Sequence, residues 1–180
     1  IGVSALPALA TGAFNTAIGT YAGQSITTGN KNVAIGRLAL NKTTTGSNNM
    51  AIGQESLYTN VDGGSNTAVG ERALYLNTSA SFNTAIGEYA LGANTTGTKN
   101  VGVGRMALDA NTTGGENVAI GENSLGANTT VSYNVAVGAS AMPTNTTGTK
   151  NVAIGRMAMN ANTTASENVA IGEESLISTT

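Results

Sequence analysis

The sequence has no cysteine, no histidine and no tryptophan in 180 residues. Without cysteine there is neither a disulfide framework nor a thiolate metal site, and the redox compartment stays open. Without histidine or cysteine, the usual nucleophile–base pairs are missing. No catalytic residue, cofactor or metal site is therefore assigned, and the chain is not expected to be an enzyme. Aromatic residues make up 4% of the chain, charged residues 10%, and there are two prolines. A core must then be built from Ala, Val, Ile and Leu in thin layers. A net charge of −2 gives no reason to expect a nucleic-acid partner. No apolar run approaches the ~20 residues of a membrane span, so no membrane insertion is expected. No signal peptide is visible. The chain begins inside one repeat and ends inside another, at Thr180. It therefore reads as a segment of a longer fibre.

What the sequence does contain is a period. Asparagine recurs every 17 residues, at Asn15, Asn32, Asn49, Asn66, Asn83, Asn100, Asn117, Asn134, Asn151 and Asn168, each with glycine four residues later. Ile1-Gly2 reads as the tail of an eleventh copy. Fixed self-similarity without insertions means one structural unit stacked on itself. Seventeen residues are too few for a helix pair and suit one coil of a β-solenoid. The expected fold is all-β: a single array over residues 1–180 of about eleven coils, with neighbouring coils ~4.8 Å apart.

With the asparagine as position 1, the coil reads N-[TV]-A-[IV]-G-x-x-[AS]-L-x-x-N-T-T-G-x-x. Positions 1–5 predict a short strand, with β-branched residues at 2 and 4. Alternation sends 2 and 4 to one face and 1, 3 and 5 to the other. The branched face is expected to fill the coil, through Ile18, Ile35, Ile52, Val69, Ile86, Val103, Ile120, Val137, Ile154 and Ile171. Position 9 joins it, through Leu40, Leu57, Leu74, Leu91, Leu108 and Leu125. The small Ala/Gly face would then let another backbone approach, which favours an oligomer. A second strand is expected over positions 6–10, with the variable position 7 facing solvent. Gly at position 5 fits either a turn with positive φ or close packing about an oligomer axis.

Stacking aligns the position 1 asparagines into a structural ladder, amide to amide. Asn60, Asn77, Asn94, Asn111, Asn128, Asn145 and Asn162, at position 12, form a second one. The N-x-[ST] tripeptides on that second ladder read as repeated turn residues rather than glycosylation sites. Charges also stack: Arg105 between Glu88 and Glu122, Arg156 beside Glu173, Lys99 beside Glu116, Lys150 beside Glu167, and Glu55 beside Arg72. Exposed pairs of this kind add only ~0.2–1 kcal/mol each. A longer period of 51, in which 97–125 returns at 148–176, reads as duplication of three coils.

The motif N-[TV]-A-[IV]-G resembles the head repeats of trimeric autotransporter adhesins. The longer units at 83–97 (NTAIGEYALGANTTG) and 117–130 (NVAIGENSLGANTT) are similar to repeats of bacteriophage tail-fibre proteins. The resemblance covers essentially the whole chain. It implies a left-handed parallel β-roll, a homotrimer, and a structural and adhesive role. That role is the shaft or head of a phage tail fibre attaching to a host-surface glycan or protein receptor, on a virion tail or an extracellular surface. A bacterial surface adhesin head is the alternative. An ice-binding solenoid is a third reading, suggested by the Thr columns at positions 13 and 14, although adjacent Thr in a turn do not point the same way. Glu71 and Glu88, stacked neighbours, have the spacing of a retaining glycosidase pair, but a solvated pair on a repeat surface is the plainer reading. Val61-Asp62-Gly63-Gly64 resembles a calcium-binding turn but occurs once. Phe14 with Tyr21, and Phe82 with Tyr89, are expected to cover a coil edge or subunit seam, with sugar stacking as the other use.

Overall fold

The computed structural model describes residues 2–177; Ile1 and residues 178–180 lie outside it. The fold is an all-β parallel solenoid of 17-residue coils, and no helix occurs among the described residues. Each coil contributes one three-residue strand: β1 (Thr16–Ile18), β2 (Val33–Ile35), β3 (Met50–Ile52), β4 (Thr67–Val69), β5 (Thr84–Ile86), β6 (Val101–Val103), β7 (Val118–Ile120), β8 (Val135–Val137), β9 (Val152–Ile154) and β10 (Val169–Ile171). They form a single ten-stranded sheet in chain order. Each strand pairs in parallel with the next, and every residue opposes the one 17 further on, as Ala85 opposes Gly102.

The expected second strand is absent. Positions 6–10 form turns instead, because the backbone there repeatedly enters the left-handed region. Among the described residues thirty-one non-glycine residues have positive φ, and they fall at positions 7, 9 and 17 of the coil. Not one is Val, Ile or Thr, the residues that this conformation excludes most strongly. Each such residue is strained by roughly 1–2 kcal/mol. An inter-coil hydrogen bond offsets the strain: Tyr89 N donates to Glu71 O at 3.0 Å, and Leu91 N to Ala107 O at 2.9 Å. At position 5, φ lies between 121° and 134°. A Cβ at Gly104 would come within 2.6 Å of the Gly121 carbonyl carbon. The invariant glycine thus answers to a positive φ and to the next coil's backbone, both within one chain.

The inside and outside of the strand are reversed relative to the sequence expectation. Position 3 points inward: Ala34, Ala51, Ala68, Ala85, Ala119, Ala136 and Ala153 are fully buried. The branched residues expected inside point outward. Ile18, Ile86, Ile120, Ile154 and Ile171 are 39–70% exposed, and Ile35, Ile52, Val69, Val103 and Val137 are partly exposed. The reason is the narrow lumen. A Cβ built on Gly102 would meet Leu91 Cγ at 3.4 Å and Ala107 O at 3.1 Å. Across from the leucine column there is room for a methyl group and little more. The core therefore consists of Ala at position 3, Ala or Ser at position 8, and Leu40, Leu57, Leu74, Leu91, Leu108, Leu125, Met142 and Met159 at position 9.

Both asparagine columns line this core. At position 1 the amide bridges two backbones rather than a neighbouring amide. Asn100 Nδ2 donates to Gly114 O at 2.8 Å within its own coil. Its Oδ1 accepts from Asn117 N of the next coil at 3.0 Å. Direct amide–amide bonds along this column are longer, 3.1–3.3 Å, and occur at some steps only. The position 12 column is the amide ladder proper, with Asn77 donating to Asn60 at 2.8 Å and Asn111 to Asn94 at 2.9 Å. It breaks at one step. Asn145 Oδ1 accepts from Gly148 N at 3.1 Å, and the buried Asn128 Oδ1 is left without a partner. The position 12 asparagines are fully buried, which is where a stacked turn residue belongs and where a glycosylation acceptor does not.

Candidate interaction surfaces

With Ala inside, the sheet turns an apolar face outward. Positions 2 and 4 of β1 to β10 make two adjacent columns of Val, Ile, Thr and Met. Met50, Ile86, Ile120 and Ile154 are each about 40% exposed within one chain. Nine coil spacings of ~4.8 Å and a two-residue width of ~7 Å give a strip on the order of 300 Å². The largest apolar patch on a typical monomer is about 300–600 Å² and is often functional. No polar side chain other than Thr16, Thr67 and Thr84 interrupts the two columns.

A second surface lies on the turns, at positions 6, 7 and 10. Glu55 sits between two arginines: Arg37 Nη2 is 2.8 Å from Oε1, and Arg72 Nε is 2.8 Å from Oε2. The Glu55 side chain is 11% exposed. The hydrogen bond from Arg72 holds its carboxyl below the usual carboxylate range, against the opposing effect of burial. The same pairing raises Arg72 further above its ordinary value. Arg72 also donates to the Tyr89 hydroxyl and lies 5.6 Å from the Tyr75 ring and 5.5 Å from the Tyr89 ring. Position 10 is itself a column. Asn41 Nδ2 donates to Gln24 Oε1 at 2.8 Å, and Tyr58 and Tyr75 stack at 5.3 Å with an 11° interplanar angle. The next two rungs are Gly92 and Asp109. The gap at Gly92 leaves an open surface pocket of about 240 Å³ lined by Tyr75, Leu76, Tyr89, Gly92, Ala93 and Asp109. Burial pushes the Asp109 carboxyl above its ordinary value.

The other charge columns are external. Lys99 pairs with Glu116 at 3.4 Å and Lys150 with Glu167 at 3.2 Å. Arg105 pairs with Glu122 but not with Glu88, and Arg156 pairs with both Glu173 and Glu174. Glu71 and Glu88 are exposed. Among the described residues no three acidic side chains gather where they could hold a metal ion, at Asp62 or elsewhere. Phe14 and Phe82 are 82% and 64% exposed. Sequence reasoning missed the pocket. Its signal was the position 10 column read down the stack, Tyr-Tyr-Gly-Asp, rather than along the chain. No protein-family model, curated protein or solved structure matches the chain.

Proposed function

We propose that the chain is a structural stretch of an extracellular fibre, assembled as a parallel homotrimer through the outward face of its sheet. The observation that carries the reading is the largely apolar strip at positions 2 and 4, broken only by Thr16, Thr67 and Thr84. A lone chain leaves it in water, whereas symmetry-related copies packed about an axis parallel to the solenoid bury it on every protomer. The uniform 17-residue period supports the same arrangement, because each coil presents the same two columns at the same height. Three copies, and the role in attachment, follow from the resemblance to tail-fibre and adhesin repeats. The phage tail fibre is preferred over a bacterial adhesin head because the longer repeat unit is more similar to it. The Thr columns at positions 13 and 14, which suggested an ice-binding solenoid, lie in the bends rather than on the strand face. Adjacent residues there do not present a flat paired array, and position 13 hydroxyls are spent on the next coil, as Thr95 Oγ1 donates to Thr112 O at 3.0 Å.

The test is light scattering on the purified chain. The expected mass is three times that of one chain. Ile86→Asp with Ile120→Asp should yield a monomer with an unchanged far-ultraviolet spectrum, because both side chains point out of the coil. Wild-type chain that stays folded and monomeric at high concentration would overturn the assembly. An Ala119→Arg change is no test of assembly, since Ala119 is buried inside its own coil and the variant would disrupt the fold itself.

A further inference from the structure

We infer that the missing rung at Gly92 is a binding subsite for a single pyranose ring, stacked on the face of Tyr75 and hydrogen-bonded to Asp109. It deepens the attachment reading by naming a ligand class, and rests on that reading only for where the sugar comes from.

The argument starts from spacing. Position 10 side chains repeat once per coil, at ~4.8 Å. Tyr58 and Tyr75 use that spacing to stack ring on ring, 5.3 Å apart and nearly parallel. At Gly92 the column carries no side chain, so the face of Tyr75 away from Tyr58 has no ring upon it. One coil further, Asp109 closes the gap from the other side. The Tyr75 and Asp109 rungs are two coil spacings of ~4.8 Å apart, which leaves room for one ring between them. The pocket's volume, about 240 Å³, is below the range typical of drug-sized ligand pockets, which restricts the occupant to one small ring.

Charge and hydrogen bonding then select the kind of ring. Two tyrosines and a carboxylate would suit an organic cation, but the Arg72 guanidinium already lies within 5.6 Å of both the Tyr75 and Tyr89 rings. A second cation would be repelled. A purely aromatic guest would cover Tyr75 but leave the Asp109 carboxylate desolvated. No side chain among the described residues hydrogen-bonds to that carboxylate; its acceptors are met only by the local N–H groups of Asp109 and Ala110. The guest must therefore pair an apolar face with donors at its rim. A pyranose has both: C–H groups on one face for the tyrosine, and hydroxyls at the edge that donate to the carboxylate. The subsite is made from positions 7, 10 and 11, separate from the strand face at positions 2 and 4.

The experiment is a titration of the ¹⁵N-labelled chain with methyl glycosides of glucose, galactose, mannose and N-acetylglucosamine, followed through amide shifts. At least one glycoside should move the amides of Tyr75, Tyr89, Gly92 and Asp109 with millimolar affinity, the strength suited to one exposed ring. Gly92→Tyr supplies the missing rung from the protein itself. Position 10 carries tyrosine in two preceding coils, and the new Cβ would meet Tyr89 alone, its carbonyl oxygen at 3.1 Å and its ring Cδ1 at 3.6 Å. This variant should fold and lose binding by at least about tenfold. Asp109→Asn should weaken binding several-fold while leaving the stacking contact. The inference is overturned if no glycoside moves those amides, if binding survives Gly92→Tyr, or if phenol binds there and no glycoside does. Light scattering on the same samples reports assembly separately, so a sugar-blind trimer would sink the subsite alone.

Discussion

Replacing Asn100 by alanine isolates what one rung of the position 1 ladder contributes. Asn100 is fully buried. The substitution removes the bond from Nδ2 to Gly114 O at 2.8 Å and those from Asn117 N and Nδ2 to its Oδ1, at 3.0 and 3.2 Å. Two of the three groups left behind keep another partner: Gly114 O still accepts from Asn111 Nδ2, and Asn117 Nδ2 still donates to Val131 O. The Asn117 N–H keeps none. A buried orphan donor costs about 1–3 kcal/mol, and an ordinary hydrogen bond lost with its partners still satisfied about 1 kcal/mol. The expected loss is therefore ~2–4 kcal/mol, against at most ~0.5 kcal/mol for the exposed control Thr96→Ala. Urea unfolding followed by circular dichroism measures the loss. Hydrogen exchange should place it at the Asn117 amide and the two coils beside it, because a repeat array couples nearest neighbours. Asn100→Asp separates the two roles of the side chain. The carboxylate still accepts from Asn117 N, but it faces Gly114 O with no proton to donate, so burial raises its pKa in the folded state. The variant's deficit is then largest at neutral pH and shrinks as the pH falls and the acid regains its donor. Asn100→Ala within ~0.5 kcal/mol of wild type would refute the bridging role. An Asn100→Asp variant indifferent to pH would do the same for the donor.

Four further outcomes follow from the same geometry. Leu108→Ala, inside the coil, should cost ~2–5 kcal/mol in urea unfolding, whereas Ile120→Ala, outside it, should cost well under half as much in a monomeric background. Gly104→Ala should lower stability by ~3 kcal/mol or more, or prevent folding, because φ is 129° and the added Cβ would lie 2.6 Å from the Gly121 backbone. Asp109→Asn should raise the urea midpoint at neutral pH. Burial raises the Asp109 pKa, so the wild-type chain is penalised as the pH rises through that value, and the advantage of the amide should vanish in acid. Glu55 has the opposite sign: its pKa is lowered in the folded chain, so its contribution is present above the unfolded carboxyl value and lost as the pH falls through the folded one. Glu55→Gln should remove that part of the acid limb in a stability–pH profile.

The period, the strand positions and the parallel stacking were legible because each depends on repetition alone. Thr84–Ile86 is a strand for the same reason that Val118–Ile120 is, and ten copies agree on where it lies. Sidedness was not legible from hydrophobicity, since both faces of N-[TV]-A-[IV]-G are free of charge and the larger residues are naturally placed in the core. Two other signals were in the sequence. Position 2 varies among Thr, Val and Met while position 3 is almost always Ala, and variation in a stacked column marks the outside. Positions 7, 9 and 17 never carry Val, Ile or Thr. That exclusion is the mark of a left-handed backbone, and it argues against a strand over positions 6–10.

The left-handed turns and the reversed strand are one fact seen twice. Three left-handed residues and a positive-φ glycine bend a 17-residue coil so tightly that its lumen holds one leucine, two alanines and the amides of two asparagines. So small an apolar content cannot by itself offset the ordering of 17 residues. The remainder must come from hydrogen bonds repeated at every coil and from apolar surface placed elsewhere. The asparagines supply the first: their amides satisfy carbonyls and N–H groups that a narrow lumen would otherwise leave unpaired. Val and Ile at positions 2 and 4 hold the second, on the outside, where only another molecule can cover them. A coil with a wider lumen would have drawn these residues inward and left alanine on the surface. The narrow coil does the reverse, and that is why self-association through the sheet face is the proposal that the physics of this chain favours.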